Sequence, residues 1–240
     1  MLKINQFEKA IQTEISNLIK VPVKFNKHQI LSNNNCEEKK EVKIYQMKFN
    51  SIIVTAPSLY DDINKEINNI GKDLRVYIEQ LKDSLKLDKH KVENKTIYLF
   101  LNPNYYKELS FKSEYTIFRI DKEYKKEFEE FESECSKKDL DEGLVSIEDP
   151  VVFGCFHKNR LIGVTSYWFW GDNLADIGVV IHPEYRQQGI GKVLVSKLCN
   201  WGIKNKKINL YRHNEMNKRS HQLALSLNFK EYLFVEEMKL

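Results

Sequence analysis

The residues with the clearest chemical potential are two glycines one position apart, in Ile177-Gly-Val-Val-Ile181-His-Pro183-Glu-Tyr-Arg186-Gln-Gln-Gly189-Ile-Gly191-Lys192. An apolar strand runs into Pro183, a short polar loop follows, and an apolar helix begins. Gly189 and Gly191 have no Cβ, so they can take unusual dihedrals and let a ligand approach the backbone. The first turn of the helix leaves amide N–H groups unpaired, and its dipole favours an anion there. Strand, loop and helix start together make a cradle for a pyrophosphate. The spacing is not that of a Walker loop, because no Gly-Lys-Ser/Thr is present. The third glycine of a dinucleotide fingerprint is missing too. Taken alone, the Gly-x-Gly pair also fits a turn that does nothing but link strand to helix.

The surrounding residues add to this. Arg186-Gln-Gln-Gly189-Ile-Gly191, preceded by Ile181-His-Pro183, resembles motif A of the GNAT superfamily of N-acetyltransferases. Downstream, Asn217-Lys-Arg-Ser220-His-Gln-Leu223-Ala-Leu-Ser-Leu227-Asn-Phe229 is similar to that family's second segment, which ends in Gly-Phe. The resemblance covers roughly the last ~125 residues, with two motifs in the right order. It implies acetyl-CoA as cofactor and a small-molecule or protein amine as acceptor. It also implies that backbone groups of Val179, Val180 and Ile181 pair with the pantetheine arm like an added strand. Amides of Arg186, Gln187, Gln188, Gly189, Ile190, Gly191 and Lys192 would hold the pyrophosphate. Asn217 and Ser220 would touch the pantetheine or the sulfur end. The Leu-Ala…Leu-Asn-Phe ending resembles members of the zwittermicin-resistance type.

Acyl transfer of this kind needs an uncharged amine, a polarised carbonyl oxygen and a protonated leaving sulfur. The tyrosine that many relatives use as acid is replaced by Ala224, and the family's strand glutamate aligns with Ala175. Asp176 is the catalytic candidate, although strand alternation turns it to the face opposite Ala175 unless a bulge intervenes. Asp172, Glu148 and His182 are further candidate bases, each also readable as a solvated or structural residue; His182 is expected at the surface. Tyr211 is a candidate acid. Tyr167-Trp168-Phe169-Trp170 reads as core packing, with an acceptor-pocket wall as the sharper alternative.

Around this segment the pattern predicts an α/β fold, with a mixed central sheet of GNAT type flanked by helices. A smaller N-terminal α/β domain, residues 1–112, would precede an acetyltransferase domain at 113–240. In the first part, Ile4, Phe7, Ile11, Ile15 and Leu18 recur at helical spacing. Stretches 41–49 and 51–56 read as a hairpin. Ser58 with Asp61 has capping-box spacing for a helix that stops near Gly71, and Leu74, Ile78, Leu81 and Leu85 mark another. The second part, opening near Ser113, reads as strands 115–120, 151–157, 161–170, 174–181, 208–211 and 232–238. Helices are predicted at 124–135, 191–203 and 218–227, and 139–149 reads as an acidic loop.

Composition narrows the classes. Hydrophobic content of 42% is enough for a core. A net charge of +4, from 38 basic and 34 acidic residues, lacks the concentrated basic patch of a nucleic-acid binder. No stretch reaches the ~18 apolar residues of a membrane span, and no signal-peptide run opens the chain. Cys36, Cys135, Cys155 and Cys199 are scattered without metal-ligand spacing, which fits reduced thiols in the cytoplasm. Two alternatives stay open: a module that binds acyl-CoA without turning it over, and a regulator that binds a partner through its N-terminal region. Oligomeric state is not encoded in any motif.

Overall fold

The computed structural model describes residues 4–70, 81, 92–110 and 114–239. The chain divides into two compact units. One comprises Phe100–Arg212 and Lys218–Lys230 with the start of the chain to Phe7. The other comprises Glu8–Leu99, His213–Asn217 and Glu231–Leu240. The expected helix stop at Gly71, the apolar positions Leu74, Ile78 and Leu85, and the expected start at Ser113 lie outside the described residues.

The second unit holds strands β1 (Gln29–Ser32), β2 (Glu41–Gln46), β3 (Ser51–Thr55), β4 (Val92–Phe100) and β10 (Lys230–Lys239), in the order β1-β3-β2-β10-β4. The β2–β3 hairpin forms as its alternation predicts, whereas β1, parallel to β3, was not legible. Val42, Ile44, Ile53, Ile63, Leu81 and Met238 make its core. Helix α1 (Ile4–Ile19) buries Phe7, Ile11 and Ile15, with Ile19 rather than Leu18 completing the stripe. Helix α2 (Tyr60–Ile70) does not begin at Ser58. Pro57–Leu59 instead form a 3-10 turn entered from Ala56, and the Ser58 amide donates to Glu37 Oε2 at 3.1 Å.

The first unit is built on β5 (Tyr115–Ile120), β6 (Val151–His157), β7 (Arg160–Trp170), β8 (Leu174–Ile181) and β9 (Ile208–Asn214), paired in the order β9-β8-β7-β6-β5. Neighbours are antiparallel except β8 and β9, which run parallel, so the sheet is mixed. Helices α3 (Lys125–Ser133) and α4 (Lys137–Gly143) cover one face. Phe128 and Phe131 pack there with Val152, Val164 and Val180. Helix α5 (Ile190–Lys204) covers the other, where Ile190 and Leu194 meet Cys155 and Ile162. Burying each such side chain is worth about 1.5–3 kcal/mol. Tyr167, fully buried, ties α5 to the sheet: its hydroxyl lies 3.1 Å from Leu198 O and also contacts Asn209 Oδ1. Helix α6 (Lys218–Ser226) follows β9.

The stretch 139–149 is not a loop throughout. Ser136 caps α4, its Oγ accepting from the Asp139 amide at 3.2 Å, and the acidic run is helical to Gly143. The acidic composition masked a capped helix start of the Ser-x-x-Asp type.

Candidate functional site

The sheet of the first unit opens at one place. Strand β8 pairs with β9 only through Leu174, Ala175 and Asp176, opposite Ile208, Asn209 and Leu210. Beyond Asp176 the two strands part, while β8 continues beside β7 to Ile181. His182 N donates to Ile162 O at 2.9 Å, and the β7–β8 register is unbroken from there to Trp170. Backbone groups alternate along an antiparallel strand, so residues 178, 180 and 182 turn theirs to β7. Ile177, Val179 and Ile181 turn theirs to the opened edge. Of the three residues expected to pair with an added strand, Val179 and Ile181 present backbone groups there, and Val180 buries its side chain under α3.

The edge leads into the glycine turn. Pro183–Tyr185 form a 3-10 turn, with His182 Nδ1 accepting from the Glu184 amide at 3.3 Å. Gln187 and Gly189 take left-handed backbone, φ 63° and 79°, which suits a glycine at 189 and reverses the chain into α5. No side chain caps that helix, and the first intrahelical bond is Val193 N to Gly189 O at 3.2 Å. The amides ahead of it keep the positive end of a fifteen-residue helix. A Cβ added at Gly191 would come no nearer than 3.4 Å to Ile181 and 3.7 Å to Leu223, which is ordinary contact. Packing therefore does not demand a glycine at 191.

The side chains of the turn face different tasks. Arg186 folds back onto the strand, its Nε donating to Ile181 O at 3.0 Å and its guanidinium pairing with Asp139 at 2.9 Å. Burial acts to raise the Asp139 carboxyl, but hydrogen bonds from Ser136 and Arg186 outweigh it and hold it below the usual range. Gln188 accepts from the Tyr115 hydroxyl at 2.7 Å. Lys192 is half-exposed. An anion at this turn would be met by backbone amides.

Asp176 is buried, and the unbroken register confirms that it faces away from Ala175. Arg212 Nε reaches its Oδ2 at 2.9 Å and Trp170 Nε1 at 3.1 Å, with the guanidinium stacked 4.9 Å from the Trp170 ring. Tyr211, on the α5 face of β9, is fully buried edge-on to Phe229. Burial pushes its hydroxyl up to about 12, against a hydrogen bond from Ser220. Asn217 falls in the second unit, where its amide donates to Asn214 O at 2.9 Å. Contrary to expectation His182 is not at the surface: it is 4% exposed, 3.2 Å from Arg160 and 3.5 Å from Glu134. Glu148 is exposed and paired with Lys122, and Asp172 is exposed. In the aromatic run Tyr167 is core, Trp168 is exposed, and Phe169 and Trp170 lie between.

One element had no place in the sequence reading of the site. The end of α4 lies against β8 so closely that a Cβ at Gly178 would meet Gly143 O at 2.6 Å and also strike Leu144 O. A Cβ at Gly143 would meet Val179 O at 2.8 Å. Two glycines 35 residues apart were the available signal, but nothing in one sequence pairs them.

A split between parallel strands that feeds a glycine turn and an uncapped helix start defines an α/β fold with unpaired helix amides beside an open strand edge. Residues 117–229 match the profile of the Acetyltransferase (GNAT) family. Solved structures share the fold. A GCN5-related N-acetyltransferase from Sphaerobacter thermophilus is 7% identical with a TM-score of 0.52, over 68% of this chain and 56% of that one. A GCN5-related N-acetyltransferase from Kribbella flavida is 11% identical with a TM-score of 0.51, over 66% and 63%. A functionally unknown conserved protein from Staphylococcus epidermidis is 13% identical with a TM-score of 0.50, over 69% and 68%. The chain thus spans less than two thirds of the first two. No curated protein matches the sequence. Among the described residues no helix is long and apolar enough to cross a membrane.

Proposed function

We propose that this protein moves an acetyl group from acetyl-CoA to a primary amine by direct attack in a ternary complex. The observation that carries the reading is the continuity of the opened β8 edge with the uncapped start of α5. An elongated ligand with an anionic middle and an amide-bearing arm fits both at once. Amides of residues 186–192 would hold the pyrophosphate, and the backbone of Val179 and Ile181 would pair with the pantetheine amides. CoA supplies a thioester whose carbonyl carbon is open to attack. The chain's own residues exclude water from it, orient it and receive the amine's proton. Asp176, fixed by Arg212 and Trp170, acts in this reading as an oriented carboxylate on the α4 face of the sheet.

Ser220 would flank the sulfur end from α6. The acceptor is a small-molecule or protein amine. The ending at Phe229 and the extra N-terminal unit favour the zwittermicin-resistance-like branch as the narrower assignment, and an intracellular reducing location suits four free thiols. Turnover of acetyl-CoA with a panel of primary amines tests the reading. CoA release that depends on the amine supports it, and binding without turnover across the panel contradicts it.

A further inference from the structure

Short 3-10 turns recur in this chain, and a side chain closes several of them in the same way. Asn33, Asn102 and Asp121 each precede such a turn and accept from the backbone amide two residues on, at 2.9, 2.9 and 3.0 Å. Asn102-Pro103-Asn104-Tyr105 and His182-Pro183-Glu184-Tyr185 share one construction, with proline second and tyrosine last. The difference is the cap: histidine stands at 182 where asparagine stands at 102. His182 Nδ1 accepts from the Glu184 amide at 3.3 Å, and the glycine turn opens directly afterwards at Arg186. An asparagine oxygen accepts at any pH, whereas an imidazole nitrogen accepts only while it is unprotonated.

A neutral ring with Nδ1 accepting carries its hydrogen on Nε2. That nitrogen lies 3.5 Å from Glu134 Oε2, just after α3, and 3.2 Å from the Arg160 guanidinium on β7, which itself holds Glu134 at 3.0 Å. Protonation would set an N–H on Nδ1 against the Glu184 amide N–H. The nearest carboxylate for that proton is Glu184 Oε2, 4.0 Å away. The ring is buried, and Tyr185 packs edge-on against it with centroids 5.7 Å apart, so it turns only if the turn moves. Behind Tyr185, His157 of β6 lies 3.2 Å from its hydroxyl and 3.6 Å from Glu114. Tyr185 N donates to His182 O at 3.0 Å and Arg186 N to Pro183 O at 3.4 Å, so the capped turn sets where the amides of residues 186–192 begin.

Resting on the acetyl-CoA reading, we propose that His182 is a positioning residue for the cofactor turn and makes its affinity for CoA depend on pH. The neutral ring caps the turn and holds the following amides in place ahead of α5. The imidazolium releases the Glu184 amide, swings toward the Glu184 carboxylate and loosens the cradle. Binding therefore favours the unprotonated ring. Affinity is full at the alkaline end and falls as pH drops through the range in which histidines ordinarily change charge, about pH 8 to 5.

Calorimetric titration with CoA at about pH 5.5 and about pH 8, on wild-type protein and His182→Asn, tests this. Asparagine supplies the acceptor used at Asn102 and does not titrate. The ratio of the two Kd values removes the titration of CoA's own phosphates, which is common to both proteins. The affinities should agree at the higher pH. At the lower pH the wild-type protein should bind about fivefold more weakly than the variant, the usual worth of a cap. His182→Ser, a second cap that does not titrate, takes its place should the asparagine variant not fold, and His182→Ala, without an acceptor, should bind weakly at both pH values. A ratio that stays level between the two pH values overturns the inference alone. So does full affinity in His182→Ala, or a pH dependence that persists in His182→Asn and disappears in His157→Asn. No binding of CoA to the wild-type protein at either pH overturns the acetyl-CoA reading, and the inference falls with it.

Discussion

At the residue scale the buried polar groups have distinct duties. Asp176 and Arg212 form a largely buried pair, and removing one partner of such a pair typically costs about 3–5 kcal/mol. Part of Arg212 reaches solvent, so Asp176→Ala should lower stability by about 3 kcal/mol in urea denaturation. Asp176→Asn, which keeps an acceptor for Trp170, should lose less. Equal, small losses in both variants would show that the pair holds nothing in place. Tyr211 stands where sequence reasoning sought an acid, but it is sealed in the core with its hydroxyl near 12. A thiol has an ordinary pKa of about 8.5, so its thiolate leaves tolerably without help. Tyr211→Phe should therefore lower kcat by less than about tenfold, and a fall of ~100-fold with KM unchanged would make it the acid. The glycines of the turn were legible because their spacing and neighbours are local. His182 was misplaced because its burial comes from Arg160 and Glu134, partners no local pattern reveals.

At the scale of elements, the strands of the first unit were legible almost to the residue. Period-two alternation, Lys158-Asn159 and Gly171 mark β6, β7 and β8 in turn, and Phe128 and Phe131 mark α3. What stayed hidden was α4, whose start lies in an acidic run and whose end matters through a contact made 35 residues later. Gly178→Ala tests that contact. The new methyl group must displace the carbonyls of Gly143 and Leu144, so stability should fall by about 1–3 kcal/mol. An unchanged denaturation midpoint would mean that α4 does not bear on β8 in solution.

For the molecule as a whole, the sequence pattern led to an expected α/β fold with a smaller N-terminal domain at 1–112. It did not show that the last strand, β10, pairs with β2 of the N-terminal region from Phe234 to Lys239. That pairing is non-local, and each strand alone carries only alternation. The cysteines give a global check. All four are free; Cys36, Cys155 and Cys199 are buried, and Cys135 is half-buried with burial pushing its thiol up to about 11. In native protein one thiol should react with a thiol reagent, slowly, and the other three only on unfolding. Rapid labelling of two or more would contradict the packing of both units.

The central claim is that the turn at residues 186–192 and the start of α5 hold acetyl-CoA, and calorimetric titration of wild-type protein and Gly191→Glu tests it most directly. A Cβ fits at this position, so the variant should fold and show an unchanged circular dichroism spectrum. Its carboxylate would occupy the front of the helix start and repel the pyrophosphate. Binding should be saturable for the wild-type chain and absent for the variant. Equal affinity in the two proteins, or no binding to the wild-type chain, would contradict it.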